Sequence, residues 1–282
     1  MNDLTKYNHQ ISNLNELDAI AHKIRGKLVE MSHKAGTPHL GSSLSCVDIL
    51  VAAYWTALAI DPENPQTPDR DRFILSKGHA ATTLYATLAY RGFFSPNLLE
   101  SFNDNGNPMA EHPNLGCVPG VEASTGSLGH GLSLGLGMAL AGSLQNHAYR
   151  VFVVMSDGEC NEGSVWEAAM MIPSHRLDNI VVIIDYNKWQ ATGRSNEVLA
   201  LAPLRQKWEA FGWNTYEIDG HDLQALVEVL ATVPDGSGKP MAIVAHTVKG
   251  KGVSFMEDDN NWHYRIPNVD EVKKAKQELG LL

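Results

Sequence analysis

Val151-Phe152-Val153-Val154-Met155-Ser156-Asp157-Gly158 is followed, after one amphipathic segment, by Ile180-Val181-Val182-Ile183-Ile184-Asp185-Tyr186-Asn187. The two apolar runs carry no polar alternation, so they are expected as neighbouring strands of a parallel sheet covered on both faces. Ligands of such sheets sit beyond the strand C-termini. Asp157 and Asn187 are expected to converge there on a hard cation, and Gly158 lets the backbone approach a phosphate at the start of the next helix. A divalent ion held by a carboxylate, an amide oxygen and a diphosphate suits this arrangement.

Working outward, the segments that follow alternate regularly: helix 162–172, strand 180–185, helix 202–212, strand 213–218, helix 222–233 and strand 240–246. Asp219-Gly220-His221-Asp222 reads as a strand-to-helix turn. The alternation predicts a single α/β domain over 1–282 with a doubly wound parallel sheet. A helical wrap covers about 1–148, the core sheet about 149–250, and a C-terminal tail about 265–282. In the wrap, Leu14, Leu17, Ala21, Ile24, Leu28 and Met31 recur at helical spacing. Ser43 or Ser45 is expected to cap a helix from Asp48 to Ala59. Phe73-Ile74-Leu75 is a short segment before a helix over 80–91. Gly129, Gly131, Gly135, Gly137 and Gly142 punctuate an apolar helix, each interior glycine costing about 0.5–1 kcal/mol against alanine. Close approach at a subunit interface, or to a cofactor, is the expected compensation.

The 282 residues are 44% apolar and 19% charged, with a net charge of −10 and no Lys/Arg-rich stripe. That balance fits a globular enzyme and excludes nucleic acid as the main partner. No apolar run reaches the length of a membrane span, and Met1-Asn2-Asp3-Leu4 lacks a signal-peptide core. Cys46, Cys117 and Cys160 form neither a zinc pattern nor a disulfide framework. A reducing compartment, the cytoplasm, is therefore expected, with Cys160 as a packing residue. Among the 12 histidines, His9, His22, His33, His147 and His175 lie in polar or helical surroundings and are expected to be solvated. His39, His79, His112, His130 and His263 lie in Gly- or Pro-containing loops, where proton transfer or phosphate contact is chemically available.

Asp157-Gly158 with Asn187 resembles the thiamine diphosphate motif. Four further blocks, in family order over roughly residues 15 to 265, narrow the resemblance to transketolase. They are Asp71-Arg72-Phe73-Ile74-Leu75-Ser76-Lys77-Gly78-His79-Ala80, Pro119-Gly120-Val121-Glu122, Ser124-Thr125-Gly126-Ser127-Leu128-Gly129 and Thr247-Val248-Lys249-Gly250-Lys251-Gly252. The resemblance implies the thiamine diphosphate-binding fold, with Asp157 and Asn187 as side-chain ligands and the Trp189 carbonyl as a backbone ligand of Mg²⁺ or Ca²⁺. It further implies that Gly158, His79 and His263 contact the diphosphate, and that Gly126, Ser127 and Leu128 form the loop packed on the cofactor. His39 and His112 match the positions handling substrate hydroxyl protons, with His263 also facing substrate. Glu162 matches a buried interface glutamate linking cofactor sites, and Asp185 a residue on the thiazolium side. Three positions depart from the pattern: Leu40 where proline follows the first histidine, Ser156 in place of the first glycine of the metal turn, and His130 where glutamine is common.

In the family, the glutamate that activates the cofactor belongs to a second, pyrimidine-binding domain, and two further domains follow the present one. The resemblance therefore implies the N-terminal subunit of a split transketolase, inert alone. With a partner subunit carrying the pyrimidine-binding and C-terminal domains, it would transfer a two-carbon ketol unit from a ketose phosphate to an aldose phosphate. Two copies of each chain are expected. A 1-deoxyxylulose-5-phosphate synthase, the α-subunit of an oxo-acid dehydrogenase and a non-catalytic binding module are the alternatives. Lys77-Gly78-His79 and His263 favour transketolase over the two enzymes, and a neighbouring reading frame encoding a pyrimidine-binding domain would argue against the module.

Overall fold

The computed structural model describes residues 13–282, so Met1–Leu4 and His9 lie outside the described residues. The central sheet has five parallel strands in the order β1, β2, β3, β7, β6. The strands are β1 (Arg72–Leu75), β2 (Val151–Ser156), β3 (Ile180–Tyr186), β6 (Asn214–Asp219) and β7 (Met241–His246). A hairpin of β4 (Trp189–Gln190) and β5 (Gly193–Arg194) stands apart. The helices are α1 (Leu14–Ala35), α2 (Leu40–Ser45), α3 (Val47–Ala52), α4 (Ala81–Arg91), α5 (Gly131–Gln145), α6 (Gly163–Ser174), α7 (Ser195–Val198), α8 (Leu204–Ala210), α9 (Leu223–Leu230) and α10 (Val269–Glu278).

Strand alternation divides the apolar residues between two cores. Phe152, Val154, Val181, Ile183 and Ile243 face the side covered by α1, α3, α4 and α9. Val151, Val153, Met155, Val182, Ile184 and Val244 face α5, α6 and α8. Every residue of β2 and β3 is buried, as their unbroken apolar runs predict. Ser156 pairs with Asp185, which brings the two polar strand ends side by side.

Two boundaries differ from expectation. The wrap is not wholly helical, because Arg72–Leu75 forms an edge strand of the sheet, in register with Val151–Val154. Four residues are too few to show a period. Secondly, the helical run begins at Leu40 rather than Asp48, with His39 at its N-cap in the left-handed region (φ 70°). Ser43 and Ser45 lie inside α2, fully buried, and cap nothing. Ser45 instead donates its hydroxyl to Asp185 at 2.7 Å.

The glycines of α5 divide by face. A methyl group on Gly135 would lie 2.7 Å from Val153 Cγ2, and one on Gly131 would lie 2.3 Å from Ser76 Cβ. These two let the helix press onto the sheet. Gly137 has nothing within 4 Å of such a methyl and lies on the exposed stripe with Leu134 and Leu144.

Candidate functional site

The C-terminal ends of β1, β2 and β3 open into a cavity of about 390 Å³. His39, His79, His112 and His263 line it, together with Gly126, Leu128, Gly158, Glu162, Asn187 and Trp189. Ten of the thirteen sequence-predicted site residues therefore meet at one opening. Ser127, Asp157 and Asp185 do not line it.

Asp157 and Asp185 lie beneath the floor, both fully buried. Asp157 accepts from the amides of Gly158 (3.0 Å) and Lys188 (3.1 Å) and from the Ser195 hydroxyl (2.6 Å). Burial, with Asp185 nearby, still pushes its carboxyl up to about 7 despite these donors. Asp185 is different. Lys77 pairs with it, Thr247 donates to its other oxygen, and burial is outweighed, so its carboxyl is held below the ordinary range. It sits in an ion-pair cage rather than at the cavity surface. Asn187 lies against that cage, its amide nitrogen 3.4 Å from the Ser45 hydroxyl, while its oxygen accepts from the Trp189 amide at 3.0 Å.

The four histidines face one another. Ring centroids lie 5.1 Å apart for His39–His263, 5.4 Å for His39–His79 and 6.2 Å for His39–His112. Burial first, then His112 and Lys249, lowers His39 to about 4. Burial, then Lys249 and His39, lowers His263 to about 3. Burial and Lys77 take His79 well below its ordinary value. All three rings are neutral at pH 7. Gly126, at φ 141°, is required beside them, because a methyl there would stand 2.7 Å from His112 Cδ2.

Lys249, within the Thr247–Gly252 block, is a site residue that the sequence pattern alone does not single out. Lys249 is fully buried and donates to Asn260 Oδ1 at 2.7 Å, with His263 Nδ1 at 3.0 Å. An ammonium can only donate, so Nδ1 accepts and the imidazole proton sits on Nε2. Burial and the Lys77 charge lower Lys249 to about 8. The available signal was a lysine in a glycine-rich turn directly after an apolar strand.

Other expectations are corrected or refined. Glu162 is exposed in this chain, on the cavity rim, with the tight turn at Gly129 packed against its stem. The buried glutamate of the turn is Glu159, which accepts from Ser76, from Gly129 N at 3.1 Å and from Ser156 N at 2.8 Å. Ser156 thereby joins a capping box. Cys160 is buried with its thiol pushed well up, as a packing residue should be. His147 is half-buried and bonded to Asp69 at 2.6 Å rather than solvated, whereas His33 is exposed as expected and bonds the Pro267 carbonyl at 2.7 Å. His130 donates to the Leu128 carbonyl at 2.9 Å, bracing the loop that carries Gly126–Leu128.

Two features fit a metal–diphosphate pair: Asp157 as a buried carboxylate without a cation, and neutral imidazoles beside a depressed ammonium. Asn161 Oδ1 and Gln190 Nε2 also face this cavity's walls buried and, among the described residues, without hydrogen-bond partners. Among the described residues no three His, Cys, Asp or Glu side chains cluster to hold a metal unaided, so a ligand oxygen has to complete any shell around Asp157 and Asn187.

Residues 17–282 match the family model described as transketolase, thiamine diphosphate binding domain. The chain belongs to this transketolase family. It is 40% identical to a Phocaeicola vulgatus protein named as one of the subunits of an apulose-4-phosphate transketolase, with 94% of each chain covered. It is 41% identical to the 6-deoxy-6-sulfo-D-fructose transketolase subunit SqwG of a Clostridium species, over 94% of this chain and 96% of that one. The crystal structure of Campylobacter jejuni transketolase superposes with a TM-score of 0.89 at 30% identity, over 95% of this chain but 43% of the other. The transketolase member thus spans less than half the length of that solved relative. The thiamine diphosphate-binding α/β fold expected from the sequence is confirmed. No helix among the described residues is long and apolar enough to cross a membrane.

Proposed function

We propose that this chain is the diphosphate-binding subunit of a two-component transketolase that moves a two-carbon ketol unit from a ketose phosphate to an aldose phosphate. Relatives of matching length named as transketolase subunits support a separate partner chain. The partner is expected to carry the pyrimidine-binding and C-terminal domains, in a heterotetramer located in the cytoplasm. One observation carries the reading: a strand-end cavity floored by the buried, cation-lacking Asp157 and walled by four convergent histidines.

Bound thiamine diphosphate would supply the nucleophile and electron sink for cleaving and forming the carbon–carbon bond. Asp157, Asn187 and the Trp189 carbonyl would hold Mg²⁺ or Ca²⁺ with the diphosphate. Gly158 and His79 would contact the phosphates, while His263 presents its Nε2 proton. Gly126, Ser127 and Leu128 would pack on the cofactor. His39 and His112 would exchange protons with substrate hydroxyls. Glu162 and Asp185 keep the roles proposed from the family, at the interface and beneath the thiazolium side, with Asp185 acting from within its ion pair. The exposed stripe of Leu134 and Leu144 on α5, with Met170 and Met171 on α6, offers an apolar face for self-association.

The test is reconstitution. The purified chain with Mg²⁺ and thiamine diphosphate should show no ketol transfer. Adding a pyrimidine-domain partner should restore it on a panel that includes apulose 4-phosphate and 6-deoxy-6-sulfofructose. Full activity of this chain alone would overturn the two-component reading.

A further inference from the structure

A buried ionic network lies outside the cavity lining. Arg25 of α1 grips Asp48 of α3 through two N–H donors, at 3.0 and 2.6 Å. Both residues are nearly solvent-free, at 3% and 4% exposure. His221, in the turn between β6 and α9, places Nδ1 2.7 Å from the second Asp48 oxygen. The Val248 amide donates to His221 Nε2 at 2.8 Å. Because Nε2 accepts, the ring proton belongs on Nδ1, donating to Asp48. Arg25 Nε in turn donates to the Lys251 carbonyl at 3.0 Å.

The network therefore holds the 247–252 loop at two backbone groups, one on each side of Lys249-Gly250. The loop is also anchored by Gly250 N on the Gly41 carbonyl at 2.9 Å and by Thr247 on Asp185. Thr247 is thus fixed at the end of β3 and Gly250 against α2, and the ionic network adds a hold on Val248 and on Lys251. A buried ion pair is seldom more stabilising than well-packed apolar side chains. What it adds here is direction, since a carboxylate and a ring nitrogen can aim hydrogen bonds and a methyl group cannot. Lys249, the residue between the two held groups, is the one that sets the tautomer of His263.

We propose that Arg25, Asp48 and His221 are positioning residues that orient the 247–252 loop so that Lys249 meets His263 at the cavity wall. His221 is the informative member to change, because it contributes one bond to the network and one to the loop. His221→Gln retains a donor and an acceptor at about the spacing of the ring nitrogens. His221→Phe keeps the ring volume and removes both bonds. His221→Asn is the milder alternative should the phenylalanine variant misfold, since its shorter amide reaches Asp48 but not Val248.

Amide hydrogen exchange on the intact chain reads the loop directly. In His221→Phe or His221→Asn, exchange at residues 247–252 should accelerate at least tenfold while α1 and α3 keep wild-type protection, and His221→Gln should restore protection. Calorimetric titration with magnesium pyrophosphate gives the second reading, with about a tenfold weaker Kd in the loosened variants and rescue in the glutamine variant. The binding arm rests on the cavity being a diphosphate site; the exchange arm does not. Failure of the wild-type chain to bind pyrophosphate would count against that site alone, leaving exchange to decide the positioning claim. Unchanged exchange at 247–252, or acceleration spread evenly over α1, α3 and the loop, would overturn it.

Discussion

Alanine at Gly137 and alanine at Gly135 should move stability in opposite directions, although the two positions are two residues apart on one helix. Replacing a helix-interior glycine removes chain entropy from the unfolded state and gains about 0.5–1 kcal/mol where the site tolerates a methyl group. At Gly137 nothing stands within 4 Å of the added carbon, so the full gain is expected. At Gly135 the added carbon would lie 2.7 Å from Val153 Cγ2 and 3.3 Å from Ile180 Cδ1. Aliphatic carbons settle at about 3.5–4.0 Å, and β-branched Val153 sits in a fully buried strand where its rotamer cannot swing away. Overpacking of this kind costs about 1–3 kcal/mol, so net destabilisation of about 1–2 kcal/mol remains after the propensity gain. For a chain of this size the midpoint should rise about 1–3 °C for Gly137→Ala and fall about 2–6 °C for Gly135→Ala. Denaturant midpoints and calorimetric scans, taken at a dilution where sedimentation shows monomer, measure both. A destabilised Gly137→Ala monomer, or a neutral Gly135→Ala, would refute the division of the helix into a sheet-pressed and an open face. At high concentration the same Gly137→Ala variant reports on association through that face, where a methyl group would hold a second helix away.

Asp157→Ala should abolish cation-dependent binding of thiamine diphosphate to the assembled enzyme, and removal of divalent ions by chelation should reproduce the loss in the wild type; unchanged affinity would remove Asp157 from the metal site. His79→Ala and His263→Ala should mainly weaken cofactor affinity, whereas His39→Ala and His112→Ala should mainly lower kcat, and the reverse pattern in steady-state kinetics would mean the roles are wrongly divided. His39 is held neutral in the fold, at about 4, so the unfolded chain binds the extra proton between about 6.5 and 4 and stability falls as pH drops through that window. His39→Asn, which suits the left-handed backbone, should flatten that loss by about 2 kcal/mol or less in urea titrations of the ligand-free chain, and an identical pH slope would contradict the assignment.

The parts of the fold that were legible in sequence are those whose pattern is local. Val151–Met155 and Ile180–Ile184 could only be two-sided strands, and the polar residues ending them had to meet. The blocks around His79 and Gly126 located the cavity wall. What stayed hidden depends on contacts across the chain. Arg72–Leu75 is a strand only because β2 lies beside it. His221 looked like a turn residue, because nothing near it reveals an Asp48 that is 173 positions away. Lys77 and Asp185 each carry a charge in an apolar setting, which signals a buried partner without naming it. Gly129 packs against the Glu162 stem, a tertiary contact with no sequence period.

Charge ordering in the floor bears on how the proposed cofactor is recognised. Lys77 is committed to Asp185, so it cannot also neutralise Asp157, which burial lifts to about 7. Lys249 hydrogen-bonds to neutral Asn260 and His263, and burial with the Lys77 charge lowers it to about 8. Asp157 and Lys249 thus stand as a buried carboxylate and a buried ammonium that each lack a committed counter-ion and bear a desolvation cost. A ligand bearing negative charge only would relieve the ammonium and burden the carboxylate; a bare cation would do the opposite. A cation bound to a diphosphate relieves both, and the cost of each half without the other becomes a coupling free energy between them. By linkage that coupling is reciprocal: the metal must tighten diphosphate binding by the same factor that the diphosphate tightens the metal.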